Sequence, residues 1–391
     1  MSSFPLNPAI IPWALQRLRL SRADFAHKLG TSENVVEAWE HGEKKPTGKQ
    51  AQEIADRLFI PLGYLALNEL PDISLDAVDF RTQGNHRLEE PSQELWATYN
   101  NAAYRQEWYK EYAIENEYEP CDFVGSLSMK TPVVEAASRI RDILQLAEED
   151  LSSYKTWNNY YNGLIHAMEE TAGVMVMRNS MVGNNSHRPL SVEEFRGFAI
   201  ADSIAPLIFI NTRDSRNAQL FTLIHEFVHL LIGHGGISGN DLLEKASNKV
   251  ERYCNQVAAE FLVPENSLRE NWPDEIRDVE ELYQVIKRLG KRFHVSDMVM
   301  IIRCRYLDLI SELVASRLWE KELAAIRKAK ENSGGHGDPY KTMLDRISPL
   351  FARTIIYQAE ADEIQLGEAY DLLNVKNHKA MKELAQRLGI D

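Results

Sequence analysis

His225, Glu226 and His229 follow one another in the order His-Glu-x-x-His. Around them Phe221, Leu223, Ile224, Val228 and Leu231 form an apolar pattern at helical spacing, which predicts a helix from about Ala218 to Ile232. Residues four apart on a helix share a face, so the two imidazoles stand one turn apart and can grip one ion. Imidazole nitrogen suits zinc, and Glu226 can reach a metal-bound water and take its proton during attack on a carbonyl. The bland alternative is a pair of histidines capping a helix beside a solvated glutamate. The apolar flanks argue against it, because polar groups inside a buried helix are costly unless something satisfies them.

A catalytic zinc needs a third protein ligand and an open position. The next predicted helix, from about Lys249 to Leu262 and stopped by Pro264, offers Glu251 as the first choice and Glu260 as its rival. Asn255, one turn after Glu251, shares its face and is placed to hydrogen-bond the outer nitrogen of a ligating histidine. Cys254 sits beside that face and reads better as a buried core thiol than as a thiolate ligand. His234 and His294 are candidate donors to a transition-state oxyanion, and equally plain surface or core histidines. The expected cofactor is one zinc per chain, although the same ligands accept manganese, cobalt or iron.

The elements that must hold this constellation can be read from periodicity. Short apolar runs at Gly173 to Met177, Phe198 to Ile200 and Leu207 to Ile210 are bounded by turn residues and predict a small sheet. The edge of the Leu207 to Ile210 strand, just ahead of the metal helix, is a candidate support for an extended peptide. Helical patterns run from Leu88 to Glu119, from Val133 to Leu146 and from Leu151 to Thr171, and helices dominate after residue 265. Gly334 to Gly337 marks a loop before the last helical unit. The aromatics between Trp96 and Tyr112 read as core packing rather than a ligand cradle.

Upstream, Trp13 to Leu67 is helical with breaks at Gly30, Gly42 and Pro61. Ser21 and Ser32 are placed to cap two successive short helices with Gly30 turning the chain between them, which is helix-turn-helix spacing. The second of these helices would present Glu33, Asn34, Glu37 and Ala38, and basic and acidic side chains balance across residues 1–70. Nucleic-acid binders are usually more basic. Asn34 can read adenine and Lys44, Lys45 and Lys49 can contact phosphates, so DNA binding stands beside a second reading in which the module pairs with a similar module on another protein.

Length and composition agree with several domains of a folded, soluble chain: 391 residues, 44% hydrophobic and 26% charged. The residues divide into a helix-turn-helix domain at 1–70, a helical connecting region at 71–150, a metal-binding core at 151–265 and a helical region at 266–391. The expected fold class is mainly α with a small β-sheet. A net charge of −14 means that any nucleic-acid contact depends on a local basic patch. The first residues lack a basic stretch leading into an apolar one, no apolar run is long enough for a bilayer, and Cys121, Cys254 and Cys304 are odd in number and widely separated. A cytoplasmic, membrane-free protein is expected.

These residues resemble a known family. The stretches Gly197 to Asp202, Ala205 to Asn211, Phe221 to Leu230 and Asn255 to Pro264 are similar to those of ImmA/IrrE-type metallopeptidases fused to an XRE-type helix-turn-helix module. Weaker echoes lie in Asp79-Phe80-Arg81-Thr82, in Phe293 to Ser296 with Arg303, and in Glu368 to Leu373. The resemblance implies a zincin-like, gluzincin-type core with His225, His229 and Glu251 as ligands and Glu226 as base. It also implies a protein substrate, an XRE-type repressor. The rival from another class is a non-catalytic regulator or antitoxin-like binding protein that keeps a structural metal site.

Overall fold

The computed structural model describes residues 3–18, 20–58, 60–70, 81–82, 86–87, 91–147, 154, 156–238, 249–330 and 339–390. Gly334 to Gly337 and the pair Asp79-Phe80 lie outside the described residues. Two compact units divide the described chain. The first falls within Met1–Ala77, Glu89–Trp108 and Met181–Leu190, and the second within Val78–Leu88, Tyr109–Ser180 and Ser191–Asp391. The class is α+β, with helices far in excess of strands.

In the first unit, α1 (Ile10–Leu18), α2 (Arg22–Lys28), α3 (Glu33–Glu40) and α4 (Gly48–Leu58) enclose Ile10, Phe25, Val36, Trp39, Ile54 and Leu65. Ser21 caps α2, its hydroxyl accepting from the Asp24 N–H at 3.0 Å. Gly30, at φ +63°, makes the turn that only a residue without Cβ adopts at little cost. Ser32 precedes α3 but its side chain accepts no capping bond. Of the long helix α5 (Gln93–Glu115), the residues up to Trp108 belong to this unit, with Trp96 and Tyr99 buried, and those from Tyr109, itself buried, belong to the second.

The second unit opens with the short antiparallel pair β1 (Arg81–Thr82) and β2 (His86–Arg87), then α6 (Val133–Leu144) and α7 (Trp157–Glu170). Its main sheet contains β3 (Met175–Asn179), β4 (Gly197–Ile200), β5 (Leu207–Asn211) and β6 (Gly236–Ser238), in the order β3-β5-β4-β6. Strand β5 runs parallel to β3 and antiparallel to β4, while β6 pairs antiparallel on the far side of β4. Consequently β5 is hydrogen-bonded on both sides and has no edge to offer a peptide. Every residue of it is buried, as expected of a continuous apolar strand with both faces covered. The expectation that Leu207 to Ile210 presents a free edge is thereby corrected.

Under the sheet lies α8 (Arg216–Leu231), buried from Gln219 to Leu231. Ser215 caps its first turn. At its other end the loop after Cys121 satisfies carbonyls that a helix leaves open: Gly125 N–H donates to Leu230 O (3.0 Å) and Leu127 N–H to Leu231 O (2.8 Å). Helix α9 (Lys249–Leu262) packs against both α8 and α6. A short α10 (Glu265–Glu270) leads to α11 (Val279–Arg292), α12 (Asp297–Tyr306) and α13 (Glu312–Lys330), which place Leu282, Ile286, Met300, Cys304 and Leu318 in the same apolar core as α8 and α9.

The last helices are α14 (Pro339–Ile347), α15 (Pro349–Glu360), α16 (Leu366–Leu373) and α17 (His378–Arg387). Polar links tie them to α7 and β3. Arg178 pairs with Asp345, Arg353 with Glu170, and the buried Ser348 hydroxyl donates to Glu169 at 2.6 Å. Among the described residues, no helix is long and apolar enough to cross a membrane.

Candidate metal centre

Helix α8 is buried almost all round, so its polar residues cannot turn to water. His225, His229 and Glu226 are 2%, 3% and 0% exposed. The imidazoles, one turn apart, bring their Nε2 atoms to 3.1 Å from each other. From α9, Glu251 completes the group: its Oε2 lies 3.1 Å from His225 Nε2 and its Oε1 3.2 Å from His229 Nε2. Candidate ligand atoms from these three residues all lie within 4.8 Å of one another.

This arrangement fits a divalent cation on its donor chemistry and spacing. Two nitrogens on one tetrahedral zinc, each at about 2.05 Å, stand roughly 3.3 Å apart, close to the separation found here. The donors are two nitrogens and a carboxylate, the set that leaves a fourth position for a reacting group. The electrostatics point the same way. Burial resists charge on Glu251, but the His229 and His225 imidazoles overcome it and hold the carboxyl well below the usual carboxylate range. Burial likewise resists protonation of His229, yet the facing Cys254 and Glu251 side chains raise it well above the ordinary imidazole value. Since burial also pushes the Cys254 thiol up, Glu251 is the anion that this charge pairs with near neutrality. A cluster that holds a proton between converging ligands is one that a cation can displace it from.

The rival carboxylate is committed elsewhere. Glu260 is buried in an ion pair with Arg303, and its Oε1 accepts the Glu265 N–H at 3.3 Å. Arg303 also donates to Val263 O at 2.9 Å, so the pair fixes the end of α9.

Asn255 is buried on α9, but among the described residues its Oδ1 accepts no hydrogen bond, and Nδ1 of His225 and of His229 has no hydrogen-bond partner. The expected Asn255–histidine bond is not formed, because a shared helix face does not by itself aim an amide at a particular ring nitrogen. Nor does the structure bring His234 or His294 into the ligand cluster. His234 is exposed with Nδ1 on Ile232 O (3.0 Å), and His294, in a left-handed conformation, lays its ring against Tyr160. In the first unit Asn34, Lys44, Lys45 and Lys49 are all exposed. Arg22 reaches from α2 to Glu40 (2.6 Å) and Glu37 (3.7 Å), offsetting part of the acidity of α3.

Residues 169–305 match the family described as the IrrE N-terminal-like domain, Peptidase_M78. Residues 13–65 match the helix-turn-helix family HTH_3. Along the chain a segment matching the helix-turn-helix model thus precedes one matching the IrrE-type peptidase model. No curated protein matches it.

The peptidase segment contains His225, Glu226, His229, Glu251 and Asn255, together with the Glu260–Arg303 pair. Two features around the metal helix escape a reading by periodicity. Gly125 and Gly233 meet at the end of α8, where a Cβ on Gly233 would lie 3.0 Å from Gly125 Cα. Gly197 on β4 lies directly against Glu226. A glycine inside a strand is the available signal for such a close approach.

Proposed function

We propose that the chain is a zinc-dependent endopeptidase whose protein substrate is a DNA-binding regulator, an XRE-type repressor. The observation that supports this most is Glu226, wholly buried and next in sequence to His225, which converges with His229 and Glu251. A cation held by those three residues supplies Lewis-acid polarisation of a peptide carbonyl and makes water more acidic. Glu226 accepts the proton of the attacking water on a carboxylate oxygen and returns it to the departing amine. His225 and His229 keep their Nε2 lone pairs for the cation, and the buried walls of α8 exclude competing water. A metal site kept only for structure has no use for that general base, which sets this reading above a non-catalytic regulator.

In the same reading residues 1–70 are a recognition domain, 71–150 a connecting region, 151–265 the zincin-like core and 266–391 its helical support. The recognition domain uses Asn34, Lys44, Lys45 and Lys49 at DNA, and action in the cytoplasm suits the free Cys121, Cys254 and Cys304.

The test is N-terminal peptide profiling of an extract of the source cells incubated with zinc-loaded wild type or with Glu226→Gln. New N-termini within a helix-turn-helix regulator, formed by the wild type and slowed by a factor of roughly 100 or more in the variant, are expected. Identical profiles from the two proteins would sink the peptidase reading.

A further inference from the structure

Gly197 begins β4, opposite Ile210 of β5 and Ser238 of β6. A methyl group on its Cα would lie 2.7 Å from Thr222 Cγ2, 2.8 Å from Phe209 O and 3.0 Å from Glu226 Oε1. Non-bonded carbon contacts settle at about 3.5–4.0 Å, so all three approaches are too close. Thr222 and Glu226 are one turn apart on α8 and both are buried, hence the bare backbone of β4 forms a ceiling over that face of the metal helix.

The three neighbours differ in what they can yield. Phe209 O is fixed in the sheet, and a β-branched threonine in a helix has little rotamer freedom. Glu226 Oε1 is the end of a flexible side chain. Phe209 O and Thr222 hold the shorter contacts and yield little, so a group added at position 197 lifts the strand from the helix while pressing on the Glu226 carboxylate. The carboxylate then loses the surface that bounds it. Glycine at a paired strand position is otherwise unfavourable, having more backbone freedom to lose and no side chain to pack, so the close approach is what accounts for it at the start of β4.

We infer that Gly197 is a positioning residue for Glu226: the missing side chain sets the space in which the carboxylate stands beside the metal ligands. This inference deepens the peptidase reading, since it assumes that the placement of Glu226 matters for proton transfer. The contact itself can be tested without catalysis.

The experiment compares Gly197→Ala in three backgrounds of the full-length, metal-loaded chain: wild type, Thr222→Ser and Glu226→Ala. Elemental analysis is expected to find about one metal per chain throughout. In the wild-type background Gly197→Ala lowers Tm by several degrees. Removing the Thr222 methyl or the Glu226 carboxylate relieves part of that loss, as expected of directly touching groups, while the contact with Phe209 O remains. At fixed pH, the visible spectrum of cobalt(II)-loaded Gly197→Ala departs from wild type in the direction of Glu226→Gln, and Thr222→Ser returns it towards wild type.

Equal Tm losses in all backgrounds together with an unchanged cobalt spectrum overturn the inference. If Gly197→Ala alone does not fold, folding of either double variant supports the contact, and failure of both overturns it. Unchanged proteolysis by Glu226→Gln strikes instead at the peptidase reading, leaving the Tm comparison to judge the contact.

Discussion

Glu251 spans both histidines, with one carboxylate oxygen 3.1 Å from His225 Nε2 and the other 3.2 Å from His229 Nε2. A side chain on α9 thus closes a site begun by two turns of α8. The charge on Glu251 is essential to that role, so Glu251→Gln, close in shape, is predicted to fold normally while zinc affinity falls by at least about 100-fold. Competition with a coloured chelator measures the fall. Wild-type affinity in the variant would remove Glu251 from the ligand set.

The Glu260–Arg303 pair predicts a structural rather than a chemical defect. Both side chains are largely buried, at 7% and 6% exposure, and removing one partner strands the other charge. Arg303→Met should lower stability by about 3–5 kcal/mol, with much of the loss recovered when Glu260→Gln is added. Denaturant unfolding of the single and double variants checks this. The double variant is expected to keep its metal.

Glu169 carries a pH prediction. Burial drives its carboxyl up to about 7, against the opposing effect of the Ser348 hydroxyl, the Val176 N–H and the Arg178 and Arg353 charges. The folded chain therefore binds this proton more tightly than the unfolded chain, whose carboxyl titrates near 4.5. The contribution to stability is greatest below the unfolded value and declines as pH rises through the interval up to about 7. Glu169→Gln keeps an acceptor for Ser348 and removes the buried charge. It should stabilise the protein at pH 8 by up to about 3 kcal/mol, a gain that shrinks towards pH 4.5. Chemical denaturation across that range would show a constant difference if Glu169 titrates normally.

The helix-turn-helix unit makes a fourth, separable prediction. If Lys44, Lys45 and Lys49 meet phosphates, replacing all three by Gln weakens DNA binding at every sequence and reduces the slope of log affinity against log salt by roughly 2–3. Fluorescence anisotropy at several salt concentrations reads this directly. Binding with an unchanged slope would assign the lysines no phosphate contact and favour recognition of another helix-turn-helix protein through this unit.

Much of this architecture is legible in the amino-acid sequence. Apolar periodicity located α8, α9 and strands β3, β4 and β5 closely, because each is a long or strongly apolar run. The His-Glu-x-x-His spacing carried its own geometry, since helical pitch alone brings His225 and His229 to one face. The choice between Glu251 and Glu260 was open in the sequence, because it turns on Arg303, 43 positions away from Glu260. Strand β6 was invisible: it is three residues long and begins with glycine, and its pairing depends on β4. For the same reason the burial of β5 between two strands could not be read from its own residues. The orientation of Asn255 and the ceiling made by Gly197 are likewise three-dimensional facts, set by packing between α8, α9 and the sheet.

Metal analysis of the purified wild type beside His225→Ala and Glu251→Ala, with circular dichroism on each, probes the metal centre itself. About one zinc per wild-type chain is expected, lost from both variants while their helical signal persists. A folded wild type that binds no divalent metal, or folded variants that retain it, would overturn the metal centre.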